Sequence, residues 1–137
     1  MVDAPKKGSN RALGYVGESI ACDHLVSKGY EIICRNYAVK GGEIDIIAAD
    51  ERYVVFVEVK TRRAGYSIKK YGRGALSVNS SKKEHFLHAV KSYLRKFPSD
   101  KKPRIDVIEI TLEEFDSCVA TSISHYENAF GDRRSVI

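Results

Sequence analysis

The chain has 137 residues, of which 43% are hydrophobic and 30% charged, with a formal net charge of +5 and a sequence pI near 9.1. That length fits one domain with a real core, and the composition excludes global disorder and collagen-like repeats. No apolar run approaches the ~20 residues needed to cross a bilayer, and the polar N-terminus has no signal-peptide core, so a membrane partner is not expected.

Residues 1–9 read as a flexible arm and residues 131–137 as a frayed tail, leaving one domain over 10–130. Asn10 can cap a helix running to about Lys28 and closed by Gly29, with Leu13, Val16 and Ile20 inward and Leu25 at the edge. Glu31–Tyr37 reads as a strand, and Gly41-Gly42 as a turn. Glu43–Ala49 and Tyr53–Thr61 form an Ile/Val-rich hairpin around the polar turn Asp50–Arg52. Arg62 to Ser80 reads as a long loop, a length that usually signals function. Ser81-Lys82-Lys83-Glu84 fits a capping box and opens a second helix, whose Phe86, Leu87, Val90, Tyr93, Leu94 and Phe97 follow helical spacing up to Pro98. Arg104–Leu112 and Cys118–Tyr126 complete the set as strands. The expected order is α-β-β-β-α-β-β, an α/β fold with helices flanking one mixed sheet.

Cys22, Cys34 and Cys118 are scattered, with no CxxC pair. A structural zinc site or a disulfide framework is not expected, and the usage fits a reducing cytoplasm. His24, His85, His88 and His125 have no metal-ligand spacing among themselves and read as surface or core-edge side chains rather than ligands.

The hairpin carries charge where burial is expected. Alternation puts Glu58 and Lys60 on one face, and likewise Glu43 and Asp45. If the turn centres between Glu51 and Arg52, paired positions sum to 103 and Asp45 lies opposite Glu58. Directly opposed side chains stand ~4.5–5.5 Å apart at Cβ, so two buried carboxylates there need a positive partner. Lys60 is one candidate. A hard dication is the other, held by Asp45, Glu58 and the backbone carbonyl of Val59. A purely structural reading remains open, with Glu43 paired to Lys60 across the strands and Asp45 capping a turn.

The residues Gly17-Glu18, Gly29-Tyr30, Arg35-Asn36-Tyr37, Gly42-Glu43-Ile44-Asp45-Ile46-Ile47-Ala48, Phe56-Val57-Glu58-Val59-Lys60, Arg62, Lys82 and Arg104-Ile105-Asp106-Val107 resemble the YraN-like family. That family belongs to the restriction-endonuclease-like PD-(D/E)XK superfamily and is similar to archaeal Holliday-junction resolvases. The resemblance runs from about Leu13 to Ile110. A bare Asp…Glu-x-Lys pattern is weak, whereas the combined string is specific.

The resemblance implies a restriction-endonuclease-like sheet and a Mg²⁺- or Mn²⁺-dependent endonuclease acting on DNA rather than RNA, on branched or single-stranded forms. Asp45 and Glu58 would bind metal, Lys60 would assist the attacking water and the transition state, and Glu18 would add a ligand or supporting contact. Without the resemblance, Glu18 reads equally as a surface glutamate. Lys82 would touch phosphate, although Lys83 competes for that assignment and a solvated lysine is the plain alternative. From Arg62 to Lys83 there is no acidic residue, and Arg62, Arg63, Lys69, Lys70 and Arg73, interleaved with Tyr66 and Tyr71, suit phosphate and unpaired bases. The same stretch also reads as a solvated loop. Lys91, Arg95 and Lys96 read as the outer face of the second helix. Cutting two strands would call for a homodimer. Two rivals use the same residues: a non-catalytic nucleic-acid-binding or protein-interaction module on a nuclease fold, and a structural partner whose carboxylates and lysine form an ion network.

Overall fold

A computed structural model describes residues 10–64, 80–113 and 119–129. Helix α1 spans Asn10–Ser27. It ends where Gly29 takes φ +95°, a conformation that favours glycine. The amide of Tyr30 then bonds the Leu25 carbonyl at 3.0 Å and that of Gly29 bonds Val26 at 3.0 Å, which closes the last turn. Ala21, Cys22 and Leu25 are buried, with Leu13, Val16 and Ile20 packed alongside. Leu25, expected at the edge of this stripe, is completely buried.

Strands β1 (Glu31–Val39), β2 (Gly42–Ala49), β3 (Tyr53–Arg63), β4 (Lys102–Leu112) and β5 (Ala120–Tyr126) form one sheet in sequential order. All neighbours are antiparallel except β3 and β4. That parallel pair needs a crossover, and helix α2 (Ser80–Lys96) lies within it. The order α-β-β-β-α-β-β is the expected one, in a mixed sheet flanked by two helices. The strands run longer than their apolar patterns suggested: β1 extends to Val39, β3 to Arg63, and β4 starts at Lys102. Arg62 and Arg63, expected in a loop, therefore belong to a strand. The expected arm, the tail, Cys118 and residues 65–79 lie outside the described residues.

The β2–β3 turn is built by Asp50, whose Oδ1 accepts the amides of Arg52 at 2.8 Å and Tyr53 at 2.7 Å. This fixes the register at Ala49↔Val54, Ala48↔Val55, Ile47↔Phe56 and Ile46↔Val57. Paired positions sum to 103, as expected.

The core has two layers. Ile46, Ala48, Val55, Val57, Ile108, Ile110 and Leu112 pack with α1 on one face. Ile44, Ile47, Val54, Phe56 and Ile105 pack with Phe86, Ala89 and Val90 of α2 on the other. In an unbroken strand Ile44 and Ile46 would share a face. Here they do not, so alternation inverts at Asp45. On β1, Asn36 stands between the partners of Ile46 and Ile44 and has φ +54°. Among the described residues, no helix is long and apolar enough to cross a membrane.

Candidate functional site

The β2–β3 ladder ends at Ile46↔Val57, one step before Asp45 and Glu58. Beyond it, Asp45 Oδ2 accepts the backbone N–H of Val59 at 2.8 Å. The side chain thus takes over a donor that the parting strands leave without a ladder partner. Phe56 packs on the α2 face and Val57 on the α1 face, so Glu58 and Lys60 follow Phe56 toward α2. The cross-strand Glu43–Lys60 pairing that a continued register would give lies beyond the end of the ladder.

Both helices close onto this point through glycine. A Cβ on Gly17 would collide with the Thr61 side chain, and one on Gly42 with the His85 carbonyl. Gly17 thereby lets α1 bring Glu18 against the sheet, and Gly42 lets the first turns of α2 settle on β2. The result is a cleft of about 620 Å³ whose lining includes Glu18, Glu43, Asp45, Glu58, Val59, Lys82 and His85. Lys60 stands beside the cleft rather than in its lining.

Four carboxylates around one cleft are electrostatically costly, and the proton affinities of Asp45, Glu58 and Glu18 respond accordingly. Burial, then the charge of Glu58, pushes the Asp45 carboxyl up to about 8, although the Val59 amide opposes this. Burial also raises Glu58, offset by the ammonium groups of Lys82 and Lys60. Lys82 Nζ stands 3.2 Å from Glu58 Oε1. Burial raises Glu18 too, offset by a hydrogen bond from Asn36 and by Arg35, whose guanidinium is 3.6 Å away. Lys60 is pushed down by burial and by Lys82.

Among the described residues, no three His, Cys, Asp or Glu side chains form a ready-made ion cage. Two carboxylates, a peptide carbonyl and water are instead the donor set that a small hard dication prefers.

Glu18, Asp45, Glu58, Val59 and Lys82 thus meet at one cleft, with Lys60 at its margin. Arg62 is engaged elsewhere: its guanidinium contacts Glu109 at 3.2 Å and Thr111 at 3.3 Å. Arg63 ends β3, and Lys69, Lys70, Arg73, Tyr66 and Tyr71 lie outside the described residues. Glu43, Asn36 and His85 joined the site unforeseen. The signal for the first was its place after Gly42. Asn36 carried a weaker one, since asparagine tolerates positive φ.

A family model described as "Uncharacterised protein family UPF0102" matches residues 17–110. A UPF0102 protein of Geobacter metallireducens is 42% identical over 122 residues, covering 88% of this chain and 93% of that protein. One of Carboxydothermus hydrogenoformans is 38% identical over 88% of this chain and 96% of its own. One of Clostridium botulinum is 40% identical over 88% and 95%. The matched span contains every residue of the cleft named above.

Proposed function

The chain belongs to the uncharacterised protein family UPF0102, and from its carboxylate cleft we propose that it is a metal-dependent endonuclease of the restriction-endonuclease-like superfamily that hydrolyses DNA phosphodiesters. The observation that carries this reading is the pair of the part-buried Asp45 and the buried Glu58, each with a raised proton affinity, at the end of the β2–β3 ladder. Such a pair gains from a dication, and its oxygen donors fit Mg²⁺ or Mn²⁺.

Asp45, Glu58 and the Val59 carbonyl would hold the ion, with Glu18 as a further ligand or support. When bound, it would supply Lewis acidity to a water and to the phosphate. Lys60, whose lowered proton affinity brings its amine closer to neutral, would orient that water and accept its proton. Lys82 would contact phosphate once its bond to Glu58 is exchanged for one to DNA. Branched or single-stranded DNA is the proposed substrate, and a homodimer would serve paired cuts.

The Lys82–Glu58 ion pair favours a second reading, a non-catalytic nucleic-acid-binding or protein-interaction module in which lysine neutralises the buried charge without metal. Calorimetric titration of Mn²⁺ into the protein and into Asp45→Asn, beside cleavage assays on single-stranded, duplex and four-way-junction DNA, separates the two. The nuclease reading expects Mn²⁺ binding and cleavage, both lost in Asp45→Asn. No metal uptake with or without DNA, and no cleavage, would leave the binding module.

A further inference from the structure

A second cluster of titratable side chains assembles on the α1 face of the sheet. His125 on β5 and Asp106 on β4 meet at 2.7 Å between Nε2 and Oδ2. Asp106 is wholly buried, and the His125 side chain is only 4% exposed. Arg104 donates to both Asp106 oxygens, and the Asn128 amide donates to Oδ1. With Arg104 and the Asn128 backbone N–H donating to its two oxygens, Asp106 is the acceptor in its bond with His125 as well. The proton in the His125–Asp106 bond must therefore sit on Nε2. In the neutral imidazole this leaves the Nδ1 lone pair pointing outward.

That lone pair faces a second imidazole. His24, on the last turn of α1, places Nε2 at 3.1 Å from His125 Nδ1. The exposed Lys28 adds its ammonium at 3.5 Å from the same nitrogen. A helix C-terminus favours positive charge, and a cationic group already stands there.

We propose that His24 and His125 form a binding site for a transition-metal dication of the zinc class, with Asp106 as the residue that orients His125. Zn–N bonds of about 2.0–2.1 Å at a tetrahedral angle put two ligand nitrogens about 3.3–3.4 Å apart. The observed spacing needs a shift of only a few tenths of an ångström. A ligating histidine commonly donates its other N–H to a carboxylate, which fixes its tautomer and ring plane. Asp106 does this for His125. Water completes the coordination once Lys28 swings into solvent.

Imidazole nitrogen selects zinc, copper or nickel, whereas the carboxylate cleft selects hard ions. The two sites are therefore chemically separate. The histidines are 101 residues apart, which is why their spacing in the chain read as non-ligating.

The test is calorimetric titration of Zn²⁺ into the full chain at pH 7.5 with excess Mg²⁺, repeated on His24→Ala and Lys28→Ala. His24 is only partly buried, so its removal should change melting little. The expected result is a Zn²⁺ site weakened at least about tenfold by His24→Ala and strengthened by Lys28→Ala. Electron paramagnetic resonance of bound Cu²⁺ should show two coupled imidazole nitrogens, falling to one in His24→Ala. Equal Zn²⁺ affinity in wild type and His24→Ala, no Zn²⁺ uptake, or weaker binding in Lys28→Ala would each overturn the proposal.

Discussion

Asp45 Oδ2 accepts the backbone N–H of Val59 at 2.8 Å. The part-buried carboxylate of β2 is thus tied to the peptide between Glu58 and Val59, at the point where the two strands part. This bond holds Asp45 near Glu58 in spite of their repulsion. It also means that an asparagine at position 45 would keep an acceptor for the same amide while removing the charge.

Asp45→Asn is therefore expected to stabilise the metal-free protein at pH 8. The folded-state value of Asp45 lies near 8, above its ordinary 3.8. Stability is then greatest where the carboxyl is protonated in both states, and falls as pH rises from about 4 toward about 8. Asparagine removes that loss, a gain of about 1–4 kcal/mol by analogy with other buried charges. Thermal melts in chelator across this range should coincide near pH 4 and diverge above it. A variant less stable than wild type at pH 8 would contradict the assigned electrostatics.

Mn²⁺ or Mg²⁺ should raise the melting temperature, and more at pH 8 than at pH 5.5. A ligand at a hundred times its Kd stabilises by about 2.7 kcal/mol when it binds the folded state alone. Protons compete with the ion for Asp45 and Glu58, so the gain must shrink as pH falls. Scanning fluorimetry with and without Mn²⁺ at both pH values checks this. An equal shift in Asp45→Asn would place the ion elsewhere.

Much of this arrangement was legible in the chain because its signals are local. Ser81 to Glu84 marked the start of a helix, Gly29 an end, and Asp50 a turn that set the sum of 103 and so brought Asp45 toward Glu58. The inversion at Asp45 was not legible, because strict alternation is the simplest reading of Glu-Ile-Asp-Ile. Nor was the engagement of Arg62 by Glu109, which depends on the parallel β3–β4 pairing across a crossover. The meeting of His24, Asp106 and His125 was equally hidden, since it joins α1, β4 and β5 only after folding.

Gly17→Ala should weaken the site without touching a charged residue. Its methyl would fall on the Thr61 side chain, so α1 must lift or Thr61 must turn. Overpacking of this kind costs about 1–3 kcal/mol. The lift also draws Glu18 from the cleft. The expected signature is a lower melting temperature together with weaker Mn²⁺ binding. Pairing it with Thr61→Ala should restore much of both, because that change removes the obstructing atoms. Failure of this rescue would mean that the helix–strand approach does not position Glu18.

Asp106→Asn separates a supporting role from a catalytic one. Asp106 belongs to the family-like string Arg104-Ile105-Asp106-Val107, yet it is absent from the carboxylate cleft lining. Its oxygens take Arg104 Nε at 2.9 Å and a terminal Arg104 nitrogen at 2.8 Å, besides His125 and the Asn128 amide. Arg104 in turn donates to Tyr30 Oη at 2.6 Å and lies over the Tyr53 ring. An amide here leaves the largely buried Arg104 guanidinium with only the more exposed Glu127, 3.7 Å away, as counter-charge, a loss of up to about 3–5 kcal/mol. The folded-state value of Asp106 is depressed, so its contribution is fully present well above the ordinary 3.8 and is lost progressively as pH falls from there through the lower folded-state value. Denaturant titrations at pH 7 and pH 3 should therefore show a narrower gap between wild type and variant at the second than at the first. Mn²⁺ affinity measured on the folded variant should match wild type, because the carboxylate cleft is untouched. Full stability with lost Mn²⁺ binding would instead make Asp106 part of the metal site.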